Sequence, residues 1–148
     1  MSPTPQTPND LDPSDLQTPL IVNIAAAALA CAAASMLMIA TQIGLNISEA
    51  FYVKSWVYGL LAGYVVTGLG GAVCAVLIAK GKSLGAIGGV LFALSYLGLF
   101  WTPVLTGFVA VSSLLCLGFS VPALPLVGIS IPFTRKLEKN RKAFMDSI

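Results

Sequence analysis

The sequence contains no histidine and very few charged residues. Of its 148 residues, 9% are charged and 57% are hydrophobic, and the mean hydropathy is +0.89. Histidine is the commonest metal ligand and the usual side chain for proton transfer near neutral pH, so its absence removes the first candidates for a metal centre, a haem ligand or a general base. Soluble domains carry about 25% charged residues, so this chain has too few charges to cover an apolar surface.

Charged residues are also missing from two long stretches. No Asp, Glu, Lys or Arg occurs from Pro19 to Ser48, or between Ser83 and Thr134. A bilayer core of about 30 Å is crossed by roughly 20 apolar residues, and only lipid stabilises apolar runs of this length. The sequence therefore predicts an all-α integral membrane protein. The spans carry no acidic or basic residue to mark an ion or proton pathway.

We expect a bundle of four transmembrane helices over residues 20–133. The predicted spans are about 20–45, 57–79, 84–101 and 104–121. The third and fourth spans should form a hairpin with a very short turn at Thr102–Pro103. Beyond the fourth span, to residue 133, Pro122, Pro125 and Pro132 should prevent regular helix.

Two tails flank the predicted bundle. Residues 1–19 are rich in proline and aspartate, a composition that favours an extended tail over a packed core. Residues 134–148 are basic, and Leu137, Phe144 and Ile148 share one helix face. We expect a short amphipathic helix in the membrane interface; the alternative is an ordinary anchor of positive charge.

The basic residues predict the orientation. Seven of the eight lie on one side if both termini are cytoplasmic, and only Lys54 lies outside. The same topology places Trp56 and Trp101 at the external interface, as anchors. We therefore predict a multi-pass protein of the plasma membrane with cytoplasmic N- and C-termini. Contacts with lipid headgroups or a partner are expected of Lys80, Lys82, Arg135, Lys136, Lys139, Arg141 and Lys142.

The "GLGG" run at Gly68–Gly71 has the letters of a phosphate-binding loop but not its context. A dinucleotide loop follows a strand, and a P-loop ends in Lys-Ser/Thr; this run lies inside a predicted span and has neither. Cys31, Cys74 and Cys116 fall in three different spans without a Cys-x-x-Cys pair, which indicates packing and not metal binding or a disulfide framework. We expect no cofactor, no metal and no nucleic acid among its ligands.

Small residues instead recur at every fourth position of two spans. Such stripes let helix backbones approach closely in lipid. Either all of them face the interior of the bundle, or one, on the second span, docks onto another protein. The predicted packing residues are Gly59, Gly63, Thr67, Gly71 and Ala75 in the second span, and Gly85, Gly89 and Ala93 in the third.

In overall plan the chain resembles small accessory subunits of bacterial energy-transducing or cell-envelope complexes, although it has no diagnostic motif. The resemblance implies a non-catalytic structural role, with other integral membrane subunits and anionic lipids as partners and a respiratory chain as one host. The alternative is a small oligomeric carrier or channel for a neutral or lipidic substrate, which predicts a polar cavity near Thr67 and Ser95. A lipid-modifying enzyme is disfavoured, because no nucleophile–base pair is present.

Overall fold

The computed structural model describes residues 16–49, 55–105 and 111–146. These residues form four α-helices and, within those ranges, no strand, as the all-helical prediction requires. The predicted extended tail at 1–19 lies outside the described residues, apart from 16–19. The helices are α1 (Leu20–Glu49), α2 (Ser55–Ala79), α3 (Ser83–Leu105) and α4 (Val111–Met145).

The helices pack in a ring in which each contacts the next, and α4 returns to α1. Two hydrogen bonds from Arg141, near the end of α4, show which helix ends lie together. Its Nη1 donates to the carbonyl of Lys80, just after α2, at 2.7 Å, and its Nη2 donates to the carbonyl of Leu16, just before α1, at 3.2 Å. The start of α1, the α2–α3 connection and the end of α4 therefore share one end of the bundle. We call this the polar end (Leu16, Lys80–Ser83 and Leu137–Asp146).

The interior is lined by small side chains of α1. Its buried positions recur at helical spacing. Half of these buried residues are alanines, whose small side chains let the neighbouring helices approach closely. The buried residues of α1 are Val22, Ala25, Ala26, Leu29, Ala32, Ala33, Ser35, Met36, Ile39 and Ala40.

The outer surface is apolar. Large hydrophobic side chains are exposed on every helix, among them Leu20, Val66, Leu91 and Val121. By length and composition, α1 over Leu20–Leu45 and α2 over Val57–Ala79 can each cross a membrane, whereas the apolar stretch found in α3, Ser83–Leu99, is shorter. These two helices support a membrane location.

The prediction that prolines interrupt the last span is wrong. Helix α4 continues unbroken through Pro122, Pro125 and Pro132. All three are exposed, and their spacing places them on one face of the helix, away from the neighbouring helices. Their rings therefore meet no packed helix. A proline has no N–H to donate to the carbonyl four residues earlier, and the three carbonyls affected lie on or beside the same outer face.

The predicted break at Thr102–Pro103 is also wrong, because both residues lie inside α3. The predicted start of the last helix at 104 is wrong too, because residue 104 still belongs to α3 and α4 begins at Val111.

The C-terminal segment is the end of α4 and not a separate helix. The buried face of α4 runs without interruption into the basic segment, so Leu137 packs on the bundle and is 3% exposed. Phe144, predicted to share its apolar face, is exposed, and Ile148 lies outside the described residues. The buried residues of this face are Ser120, Ala123, Val127, Ser130, Thr134 and Leu137.

Candidate functional site

The turn between α2 and α3 is a tight helix C-cap. The N–H of Gly81 donates to the carbonyl of Ile78 at 2.7 Å, and the N–H of Lys82 donates to the carbonyl of Leu77 at 2.9 Å. This pair of bonds is a Schellman motif, which requires a left-handed residue at its centre. Gly81 has φ of +74°, a conformation that side chains of L-residues rarely adopt. The turn fixes Lys80 and Lys82 on either side of the glycine.

Helix α4 holds this turn from one side. A methyl group on Gly81 would meet Leu137 Cδ2, and would lie 3.2 Å from Arg141 Nη1. The bond from Arg141 to the Lys80 carbonyl satisfies one of the carbonyls that a helix end leaves without a partner. A buried leucine and an arginine of α4 therefore fix the position of the turn.

Glu138 caps the start of α3. Its Oε2 accepts hydrogen bonds from the Ser83 hydroxyl at 2.6 Å and from the Ser83 N–H at 3.2 Å. A carboxylate suits this place, because the first N–H groups of a helix are unpaired and carry partial positive charge. The hydrogen bonds from Ser83, with a smaller contribution from the Lys82 ammonium 3.9 Å away, hold the pKa of the Glu138 carboxyl below its usual value.

These residues border a cleft of about 410 Å³ at the polar end. Four of the predicted headgroup contacts meet there: Lys80, Lys82, Arg141 and Lys142. The other three, Arg135, Lys136 and Lys139, are exposed cations of α4 that do not line the cleft. The remaining lining residues are Gly81, Glu138, Met145 and Asp146.

A second group of polar residues joins α2 to α3 inside the bundle. The hydroxyl of Tyr96, on α3, donates to the carbonyl of Thr67, on α2, at 3.0 Å. This bond depends on Gly71, because a methyl group there would coincide with the Tyr96 hydroxyl. Tyr96 is fully buried. The glycine therefore lets a tyrosine of α3 reach the backbone of α2.

Tyr64 makes the reciprocal bond from α2 to α3. Its hydroxyl donates to the carbonyl of Leu99 at 2.9 Å, and its side chain is fully buried. In a regular helix the Leu99 carbonyl would accept from the N–H four residues later, but that residue is Pro103, which has no N–H. Tyr64 thus donates to a carbonyl to which residue 103 of α3 supplies no N–H.

The predicted packing residues divide into two groups along α2. Towards the polar end, Gly71 and Ala75 are buried, as are Gly85, Gly89 and Ala93 of α3. Near the start of α2, a methyl group on Gly59 would meet no described atom within 4 Å, and one on Gly63 would only touch Leu99 Cδ2 at 4.0 Å. The stripe therefore faces neighbouring helices over part of its length only.

Two other hydroxyls of the spans bond to their own helices. The Thr67 hydroxyl donates to the carbonyl of Gly63 at 2.7 Å, and the Ser95 hydroxyl donates to that of Leu91 at 2.9 Å. The described residues contain no group of three potential metal ligands, and both described cysteines, Cys31 and Cys74, are free. The side chains of the predicted anchors Trp56 and Trp101, and Cys116, lie outside the described part of the structure.

Sequence reasoning missed the residues that join the elements. Tyr64 and Tyr96 are phenols inside apolar runs, and a buried hydroxyl requires a partner; that signal was present in the sequence. The Glu138–Ser83 contact had no comparable signal, because 55 residues separate the two partners along the chain.

No protein-family model matches this chain, and no curated protein or solved structure matches it either.

Proposed function

We propose that this chain is a non-catalytic accessory subunit of a larger membrane protein complex, acting through the packing of its helices and contacts of its polar end. In this proposal all four helices span the plasma membrane, and both termini are cytoplasmic. A host of the respiratory-chain or cell-envelope type is suggested only by the overall plan of the sequence.

The arrangement of the polar end supports this topology. The bonds of Arg141 bring one end of each of the four helices together at the polar end. Five of the eight basic residues lie in the polar end, and Arg135 and Lys136 lie one or two residues before its start at Leu137. Basic residues concentrate on the cytoplasmic side of membrane proteins. Helix α3 has 23 residues and no charge, and a helix of that length is about 35 Å long, enough for a core of about 30 Å.

The orientation can be measured by cysteine labelling in sealed, right-side-out vesicles. With the three native cysteines replaced by alanine, a cysteine at Asp146 should react with an impermeant maleimide only after the vesicles are opened. A cysteine at Lys54 should react without opening. The reverse pattern would show the opposite topology. Reaction of both in sealed vesicles would show an even number of crossings between the two positions, where the proposal requires three.

The observation that supports a structural role is the pair of buried tyrosines, Tyr64 and Tyr96, between α2 and α3. A carrier needs a polar path near Thr67 and Ser95, but the Tyr96 ring lies against α2 beside Thr67. The Thr67 and Ser95 hydroxyls are both bonded within their own helices. Two reciprocal bonds between α2 and α3 favour a rigid scaffold over helices that separate to pass a substrate.

Purification of the tagged full chain in mild detergent, with quantitative mass spectrometry, tests the proposal. We expect one or more integral membrane proteins in fixed stoichiometry with the chain. A photo-crosslinking residue placed in turn at outward positions, one on each helix, should join the same partner from one face only. Ile24, Val66, Leu91 and Val121 are suitable exposed positions.

Ala75 serves as the matched control for crosslinking, because its side chain is only 4% exposed and lies inside the bundle. Recovery of the chain as a monomer or a homo-oligomer, with no crosslink from any outward position, would contradict an accessory role.

A further inference from the structure

The cleft at the polar end has an excess of positive charge. Four cationic side chains line it, against the two carboxylates of Glu138 and Asp146. Glu138 is already engaged, since its Oε2 accepts two bonds from Ser83 and its Oε1 lies 3.9 Å from Lys82. Its charge is therefore directed to the start of α3 and to Lys82, and it offsets little of the charge of Lys80 and Lys142.

Arg141 also contributes positive charge to the cleft. Among its described contacts there is no carboxylate that would neutralise this charge. Its two terminal nitrogens donate to backbone carbonyls of Lys80 and Leu16. Carbonyls orient the guanidinium but do not neutralise it. The arginine therefore fixes the shape of the cleft and contributes positive charge to it, while the exposed Lys80 and Lys142 remain at its border.

The cleft also lies where the apolar part of the bundle ends. The apolar run of α2 ends at Ala79, directly before Lys80, and that of α3 begins at Ser83. Met145, which lines the cleft, and the adjacent Phe144 expose 74% and 42% of their surfaces. If α2 spans the membrane, Lys80 and Lys82 lie at the level of the lipid phosphates, with apolar side chains beside them.

We propose that this cleft binds the phosphate-bearing headgroup of an anionic lipid. Lys80 and Lys142 contact the phosphate, and Arg141 positions the turn and adds to the local field. The volume of about 410 Å³ lies within the range of roughly 300–1,000 Å³ that is typical of small-ligand sites. The proposal rests on the membrane placement proposed above but not on the existence of a protein partner.

Native mass spectrometry of the full chain in neutral detergent tests this assignment. Detergent removes the bulk bilayer surface, which would attract every exposed cation. The protein is titrated with phosphatidylglycerol and, separately, with zwitterionic phosphatidylcholine. We expect saturable binding of one phosphatidylglycerol and weaker binding of phosphatidylcholine. In the Lys80→Gln/Lys142→Gln variant the affinity for phosphatidylglycerol should fall by about tenfold or more, because each hydrogen bond to a charged group contributes on that order.

The matched control is Arg135→Gln/Lys136→Gln, which removes the same charge from exposed positions of α4 outside the cleft. Its affinity should equal that of the native chain. Equal losses in the two variants would show diffuse surface charge, and no loss in either would place the lipid elsewhere; both results overturn the proposal.

Inorganic phosphate distinguishes the two sources of a phosphate group. At constant ionic strength, excess sodium phosphate should leave the bound phosphatidylglycerol in place. Displacement by phosphate alone would assign the cleft to a soluble anion and overturn the lipid assignment. All these measurements use the isolated chain, so the absence of a partner, which would contradict the accessory role, does not affect them.

Discussion

The α2–α3 interior and the polar end are both held by side chains that donate to backbone carbonyls, but the donors differ. In the interior they are the neutral hydroxyls of Tyr64 and Tyr96, both fully buried. At the polar end the donor is the charged Arg141, supported by the partly exposed carboxylate of Glu138. Hydrogen bonds between neutral groups that are out of contact with water are insensitive to pH and salt. Contacts between exposed charges are weakened by salt, which screens them, and by any pH at which one of the groups loses its charge.

Each region also depends on one glycine, for a different reason. Gly71 is helical and provides space, which the Tyr96 hydroxyl occupies. Gly81 provides a left-handed backbone, with φ of +74°, that closes the turn. We therefore expect added side-chain volume to disrupt the packing of the interior. The structure of the polar end should instead be disrupted by changes in its backbone conformation or its charges.

The largest expected effect is on the interior. Gly71→Ala places a methyl group where the Tyr96 hydroxyl lies, so the ring must shift and its bond to the Thr67 carbonyl is lost. We expect the free energy of unfolding, measured by titration with SDS from mild-detergent micelles, to fall by about 2–4 kcal/mol, from overpacking and the lost bond.

Gly59→Ala is the control for this variant, because a methyl group there meets no described atom within 4 Å. It makes the same chemical change in the same helix and should not lower the stability, since alanine is the better helix former. Equal stability of the two variants would show that the interior is not closed around Gly71.

A smaller effect is expected when one interior donor is removed. Tyr64→Phe keeps the ring but loses the bond to the Leu99 carbonyl. Inter-helix hydrogen bonds in membrane proteins contribute about 0.6 kcal/mol on average and up to about 1.7 kcal/mol. We expect a loss of about 1 kcal/mol in the same titration, because Pro103 supplies no N–H to this carbonyl.

The role of Pro103 can be tested by a double-mutant cycle. In a Pro103→Ala background, the new N–H lies four residues after Leu99 and can donate to its carbonyl along α3. The cost of Tyr64→Phe should then become smaller. The same cost in both backgrounds would separate the tyrosine bond from the proline.

Composition predicted the helical class of this chain, because long uncharged runs have few other stable forms. The start of α1 at Leu20 and the end of α2 at Ala79 both lie where the sequence placed them. The errors involve prolines. Proline was expected to break α4, but its effect depends on which face it occupies, and Pro122, Pro125 and Pro132 all face outward. That face is set by packing against other helices, which a local pattern does not contain.

The polar end was predictable only as a set of separate cations. The charge bias selected Lys80, Lys82, Arg141 and Lys142, but it selected Arg135, Lys136 and Lys139 equally. The convergence of the first four depends on the continuation of α4 past its prolines and on the bond from Arg141 to Lys80, across 61 residues. A non-local contact of this kind cannot be deduced from residue spacing.

The smallest expected effect is the pH response of the polar end. The pKa of Glu138 is lowered by its bonds to Ser83, so the folded protein favours the carboxylate. This contribution to stability is present above the ordinary glutamate pKa of about 4.3 and is lost as the pH falls below that value through the lower pKa of the folded state. Amide hydrogen exchange at Ser83 should therefore become faster, relative to its intrinsic rate, in acid. The Tyr64 and Tyr96 region should keep its protection over the same pH range.

Two variants separate Glu138 from the other carboxylate of the cleft. Glu138→Gln should expose the Ser83 amide to exchange already at neutral pH and remove its acid response, because an amide carries no charge to attract the start of α3. Asp146→Asn should retain the acid response, since Ser83 donates to Glu138. An unchanged acid response in Glu138→Gln would mean that another group controls this helix end. An acid response that spreads to Tyr64 and Tyr96 would show that the two regions unfold as one unit, so that the difference in their chemistry would have no separate consequence for stability.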